Sequence, residues 1–480
     1  MKLFKKENIV IFILTVLYIL ANAKLYLLGF EWLWLLPIAL WIILLGIFAM
    51  DSLMFLLLFL VPLSIPLSHF VPGLPFNMML PTEPIILGLT FIFLIKAIRE
   101  EYFDKDIIFH PVTLAIFFNL FWILVTSFTS EIPGVSFKFL ASRFWFVVVF
   151  FLIASQLFVR FSNIIRYFWY YAAGLSIVVM FAVGRLAVIG LTKHQEANQV
   201  VRPFYNDHTD YAAAVTMILV FMVGLLFLKK RAKGLEKIFY IGSSLFFTIA
   251  LILSYTRASW LSLVVALGFF VAMFLRFRLK VIFFIIGVLV SLFLVFQNDI
   301  IIALERNKQD SDKDLSKHIT SAANISTDAS NMERINRWHC AIKMFKERPL
   351  FGFGPGTYQF LYAPYQVKRE MTIISTNRGD VGNSHSEYLG PLAESGILGT
   401  LSFLFIIITT MATASKLYFR SKRRKVRVMA ITLLVAMITY YTHGFMNNFL
   451  DTDKLSALFW GFTAMIVALD VYHAKKLKKA

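Results

Sequence analysis

The feature that most limits what this chain can fold into is a succession of uninterrupted apolar runs. Each is close to the ~20 residues that a helix needs to cross the hydrocarbon of a bilayer. The stretch TDYAAAVTMILVFMVGLLFL, 209–228, is one of many. These runs are continuous rather than alternating, which excludes a closed barrel and leaves helices as the way to satisfy the backbone in lipid. Over 480 residues, 59% are hydrophobic and 16% charged. The fold class is therefore all-α, a polytopic membrane protein. Fourteen spans are read at 9–28, 32–50, 53–68, 84–98, 112–129, 143–159, 164–190, 209–228, 237–255, 259–275, 281–297, 388–414, 428–446 and 455–472. The runs at 53–68 and 84–98 are short enough to tilt, re-enter or merge, so the expected count is 12 to 14 helices.

A net charge of +19 raises the question of nucleic acid, which the placement of the charge answers. With the N-terminus inside, the inner segments include MKLFKKE, KKRAKGLEK, KLYFRSKRRKVR and HAKKLKKA, and about 27 of the 47 Lys and Arg fall on that side. The basicity is topological, and no nucleic-acid partner is expected. Both termini are then cytoplasmic. The first 23 residues also resemble a signal peptide ending at Ala21-Asn22-Ala23, although a first transmembrane anchor looks the same. A single cysteine, Cys340, rules out an internal disulfide and a multi-cysteine metal site.

One connection is long, which divides the chain into a transmembrane bundle at 1–297, a loop at 298–387 on the outer side, and C-terminal helices at 388–480. The loop opens on the polar stretch NKQDSDKDLSKHITSAANISTDAS. Ser330 and Glu333 then read as a capping box for an amphipathic helix whose apolar face is Ile335, Trp338, Ile342 and Phe345, ended by Pro349. That helix is expected to lie on the membrane face or to pack over the bundle. GFGPG, 352–356, lacks the Lys-Ser/Thr of a phosphate loop and reads as a tight turn that re-aims the chain. The aromatic segment TYQFLYAPYQ suits either a membrane interface or a sugar face. There is no internal repeat, which weighs against a transporter built from two halves.

Ionisable groups at membrane depth are functional candidates by default. On the outer side they gather as Arg143, Arg185, Arg202, His208, Arg257, Arg334, Arg337, His385 and Glu394. A basic cluster where topology should leave few Lys and Arg calls for an anionic partner, and the guanidinium fork suits phosphate. Arg257 stands in SYTRASW, a minimal turn between two apolar runs. It reads as an anion-binding group or as an interfacial arginine reaching the headgroups. Asp207, His208 and Asp210 have ligand chemistry for a divalent metal, but Asn206 or Asp207 also suits the cap of the next helix, and the metal site is assigned as none. His385, at the threshold of a span, has the chemistry of a base that takes a proton from an attacking hydroxyl, or of a hydrogen-bonded structural residue.

Three blocks resemble the O-antigen ligase superfamily, which also holds O-antigen polymerases and protein O-oligosaccharyltransferases. SYTRASW is similar to its short Ser-x-x-Arg turn. RINRWHCAIKMFKERPLFGFGPGTY, 334–358, is similar to its Arg-x-x-x-Trp helix followed by Pro-Leu-x-Gly-x-Gly-x-Gly. His385, Ser386, nine residues, then Gly396, Gly399 and Thr400 resemble the ligase signature, with Leu401 where a second Thr is usual.

The resemblance implies a metal-independent glycosyltransferase, without cofactor, that moves a glycan from an undecaprenyl-diphosphate carrier on the periplasmic face of a bacterial inner membrane. His385 would be the general base, and Arg257 and Arg334 would hold the pyrophosphate. Arg202 and Arg143 are added to the pyrophosphate set on their outer-side position. Ligation to lipid A-core is the leading reading. Polymerisation of carrier-linked glycan and transfer to protein are the alternatives within the family, and a lipid-linked oligosaccharide flippase is the alternative outside it.

Overall fold

The computed structural model describes residues 6–27, 36–71, 78–99, 104–191, 199–229, 233–277, 281, 284, 287, 329–371, 375 and 382–474. Its helices are α1 (Lys6–Leu27), α2 (Leu36–Phe48), α3 (Met50–Leu60), α4 (Thr82–Ile98), α5 (Pro111–Phe128), α6 (Pro133–Leu157), α7 (Phe161–Ile189), α8 (His208–Leu228), α9 (Gly234–Leu253), α10 (Arg257–Phe274), α11 (Ala329–Glu347), α12 (Leu389–Arg420), α13 (Arg424–His443) and α14 (Asp453–Ala474). Nine of them among the described residues, α5 to α10 and α12 to α14, are long and apolar enough to cross a membrane. The chain is a multi-pass membrane protein. The span expected at 281–297 and the polar stretch up to 328 lie outside the described residues, apart from positions 281, 284 and 287.

Contacts divide the chain into two units, Met1–Leu56 and Leu57–Ala480. The first holds α1, α2 and the start of α3, with large hydrophobic residues such as Leu20, Leu44 and Ile47 exposed along α1 and α2. In the second, α8, α13 and α14 form the buried centre, whereas α9 and α10 leave most of their apolar surface outward. Outward apolar surface is the expected state of a helix solvated by lipid. Polar groups join the central helices: Tyr167 and Tyr171 of α7 donate to the carbonyls of Ala457 (2.7 Å) and Lys454 (3.1 Å) in α14. Strands β1 (Ile65–Pro66) and β2 (Met79–Leu80) pair antiparallel, Ile65 opposite Leu80. Ser64 and Thr82, flanking them, donate to the buried Asp453 carboxylate at 2.8 and 2.6 Å. That anchors the start of α14.

The helices alternate in direction, so two ends are defined. At one end, Asp470 meets His110 (3.5 Å) and Lys416 (3.3 Å), and Arg424 donates to the carbonyl of Phe227 (2.6 Å). The basic turn 420–427 belongs to this end. The opposite end carries residues 199–208, 254–257, 383–389 and 443–453, and with them the candidate residues Arg202, His208, Arg257 and His385.

Two expectations need correction. The span read at 143–159 begins at Pro133, whose ring suits a helix start. The polar residues of its first turns face protein: Ser136 donates to the carbonyl of Pro355 (2.9 Å) and Arg143 pairs with Asp451 (3.0 Å). Within α11, described from Ala329, Glu333 pairs with Arg337 at 2.6 Å. The buried stripe of α11 is Glu333, Asn336, Arg337, Cys340, Ala341 and Met344, while Ile335, Trp338 and Phe345 are half-buried and Ile342 exposed. The large apolar face thus turns outward, and the small and polar face packs on α12.

Candidate functional site

The segment after α11 runs as a strap across the start of α12. Phe353 N–H donates to the carbonyl of Ala393 (3.1 Å), Gly354 N–H to that of Glu394 (2.8 Å), and Ile397 N–H to that of Pro349 (2.9 Å). Contact this close is possible because α12 is broken at Gly396, with φ 68° and ψ −167°, and a Cβ there would stand 2.1 Å from the Leu350 oxygen. At Gly352, φ 68°, a Cβ would stand 2.3 Å from the Glu394 carbonyl carbon. Beneath the strap, Cys340, Ala341, Met344, Phe353, Tyr358 and Tyr362 form one apolar cluster with Ala393. The glycines of GFGPG and of the 396–400 motif are therefore the two sides of one backbone contact. This contact sets where α11 stands relative to the loop that enters α12.

His385 is in that loop, with φ 50°, a left-handed conformation that few side chains adopt. Asn383 Oδ1 accepts its backbone N–H at 3.0 Å. Burial, reinforced by the guanidinium groups of Arg334 and Arg337 and opposed by Asp207, pushes its imidazole down to about 4. At neutral pH it is uncharged and has a lone pair to offer. Arg334 of α11 is within electrostatic reach of His385, His208 and His443, three histidines from three segments. His443 Nδ1 meets Ser259 Oγ of α10 at 3.2 Å, and Thr256 Oγ1 donates to the carbonyl of His208 at 3.2 Å. Arg257, exposed, opens α10 between Thr256 and Ser259.

The structure thus brings Arg334 and His385 together and places Arg257 on the turn that touches His208. The other two arginines have partners of their own. Arg143 is buried, paired with Asp451 and set over the Phe139 ring, and it lines a separate cavity of 380 Å³. Arg202 is exposed and donates Nε to the carbonyl of Asn206 at 2.9 Å. Arg185 supports this loop through the carbonyls of Val200 (3.3 Å) and Arg202 (2.8 Å). Asp207 is the cap of α8, taking the N–H groups of Thr209 (2.6 Å) and Asp210 (3.3 Å). The buried Asp210 accepts from the N–H of Asn206 (3.2 Å) and Tyr211 (2.7 Å).

Arg337 is a structural arginine. Its pair with Glu333 is almost fully buried, and its guanidinium lies 3.7 Å from the centroid of Tyr362. Leaving one member of such a pair buried alone costs about 3–5 kcal/mol. Arg337→Ala is expected to lower the melting temperature of the purified protein steeply, and unchanged melting would contradict this placement.

Two residues that sequence reasoning missed are Glu387 and His443. Glu387 is buried and its Oε1 accepts from Tyr440 Oη (2.6 Å) and the N–H groups of Phe449 (2.7 Å) and Leu450 (3.0 Å). Burial, with Asp451 nearby, pushes its carboxyl above the usual range, against the pull of Arg143. The segment HGFMNNFLDTDK, 443–454, carried the same signal that marked Arg257: ionisable groups in a short turn between apolar runs.

The region that holds this geometry is the region that matches a known family. Residues 242–404 match the Wzy_C family model, described as O-antigen ligase. The chain carries a Wzy_C O-antigen ligase domain. No curated protein matches the chain. The Wzy_C domain includes Arg257, Arg334 and His385, and leaves out Arg143 and Arg202. Wzy_C proteins are membrane glycosyltransferases of the O-antigen ligase and polymerase type, and the family implies lipid-linked glycan substrates.

Proposed function

We propose that the protein transfers a glycan from an undecaprenyl-diphosphate carrier to a hydroxyl of lipid A-core, on the periplasmic face of the inner membrane. The basic end holding residues 420–427 then faces the cytoplasm. The observation that carries the reading is the juxtaposition of a neutral His385 with Arg334, inside the family-matched region and at the end of the bundle opposite the basic turn. In the transfer, His385 accepts the proton of the acceptor hydroxyl while its oxygen attacks the anomeric carbon. The carbon–oxygen bond to the β-phosphate breaks, and its electron pair leaves on undecaprenyl diphosphate. Arg334 and Arg257 hold the charge that grows there, where preorganised cations contribute most. No metal takes part.

The donor also tunes the base. Its diphosphate sets negative charge against the guanidinium groups that depress His385, so donor binding raises the imidazole toward the range where proton abstraction is efficient.

The test is transfer by purified protein with a labelled undecaprenyl-diphosphate glycan and separate lipid A-core, carrier-linked glycan and protein acceptors, with and without chelator. Ligation to lipid A-core, unaffected by chelator, is expected. Arg334→Ala and Arg257→Ala should each lose about 10²–10³-fold in kcat, the typical effect of removing one group that stabilises developing charge. Lengthened carrier-linked chains would make it a polymerase. Movement of labelled lipid across vesicles without any transfer would make it a flippase.

A further inference from the structure

Ser384 and Ser386, the neighbours of His385, line the 380 Å³ cavity, and among the described lining residues His385 itself does not appear. The loop therefore has two faces: one turns His385 toward Arg334, and the other forms a cavity wall. The volume falls within the roughly 300–1,000 Å³ of small-molecule sites. Its lining differs from that of the apolar groove beside α5 and α6. The groove of about 600 Å³ between α5 and α6 is walled by Phe, Leu, Val and Ala alone, as suits hydrocarbon. The cavity instead combines amides and hydroxyls with aromatic rings.

Three features specify its ligand. Asn448 Oδ1 is buried without a hydrogen-bond partner, which leaves an acceptor awaiting a donor. Among the described residues the three side-chain hydrogen bonds of Glu387 all end on Oε1, so Oε2 remains for the cavity it lines. Gln359 and Asn383 add groups that both donate and accept, and Phe360 provides an exposed ring face at the wall. Alternating acceptors and donors beside an aromatic face match a sugar ring, with hydroxyls on its edge and C–H bonds on its face. The charges do not favour an anion: Lys138 and Arg143 stand against Glu387, Glu394 and Asp451, and Arg143 is already paired with Asp451.

We propose that this cavity is a saccharide subsite that holds the acceptor glycan, with neutral sugar residues, on the opposite face of the His385 loop from the donor diphosphate. The proposal rests on the glycosyltransferase reading for the word acceptor, but not for the binding of sugar. One loop then registers both substrates, because any shift of Ser384 or Ser386 by bound sugar moves His385 with it.

The experiment probes the labelled, purified full chain on a printed array of neutral and acidic oligosaccharides, beside the transfer assay. Wild type and His385→Asn are expected to bind a subset of the neutral glycans equally. Asn448→Ala and Gln359→Ala should weaken that binding at least tenfold. In transfer, both should raise the acceptor KM by a similar factor with donor KM unchanged. Gln359 is partly exposed, so its loss leaves the fold intact should Asn448→Ala misfold. Binding only to acidic glycans, no binding by wild type, or equal binding by Gln359→Ala overturns the subsite. Sugar binding without any transfer overturns the enzymatic reading and leaves the subsite standing.

Discussion

His385→Asn is expected to fold and to lose about 10²–10⁴-fold in kcat, the usual contribution of a positioned general base. Asparagine is the appropriate probe because it tolerates the left-handed backbone at φ 50° and retains polarity. Alanine at the same position has no polar side chain to ease this backbone, and so confuses a chemical effect with a structural one. The pH profile gives a second, independent readout. With the free imidazole pushed down to about 4, the base form is complete at neutrality and is lost only as pH falls toward that value. Since kcat/KM reports the free enzyme and kcat the complex, kcat/KM should be flat from pH 8 to about pH 5. In kcat the acid limb should appear at higher pH, because the bound diphosphate favours the protonated imidazole. Identical limbs in both parameters would remove the coupling between donor and base. Activity retained by His385→Asn would falsify the base assignment.

Gly396→Ala is expected to destabilise the protein by about 3 kcal/mol or more, since left-handed strain alone costs about 1–3 kcal/mol. The new Cβ must also displace the Leu350 oxygen, which lies 2.1 Å from its ideal position. Because that oxygen belongs to the strap, relief moves α11 and with it Arg334 relative to His385. A large fall in melting temperature should therefore accompany a raised KM for the donor and faster proteolysis of residues 348–356. Ser395→Ala, one position earlier, is the control for mutating the helix without the clash. A Gly396→Ala protein that melts like wild type would mean that the strap is not seated on α12 as described.

The nine long apolar helices among the described residues were legible from hydropathy because lipid solvates apolar surface whatever the partner. The start of α6, 133–142, was hidden because Ser136 meets a partner more than 200 residues away, and a local average counts it as polar. The apolar face of α11 misled for a related reason. Ile335, Trp338, Ile342 and Phe345 have the spacing of a core stripe, yet in a membrane protein the larger apolar side chains can face outward while small ones permit close packing. His385, Arg334 and Arg257 stood out as ionisable groups at the ends of apolar runs.

What the sequence determined by itself was a helical membrane protein, the long apolar helices among the described residues, and a short set of polar residues that have no place in lipid unless they act. What only the tertiary structure decided was their grouping: Arg334 beside His385, Arg143 withdrawn to a cavity with Asp451 and Glu387, and Arg202 left at the surface. Periodicity and hydropathy report a residue's relation to its own helix and to the solvent. Grouping depends on contacts between segments hundreds of residues apart, such as the seat of Leu350 on Gly396, which leave no local pattern in the chain.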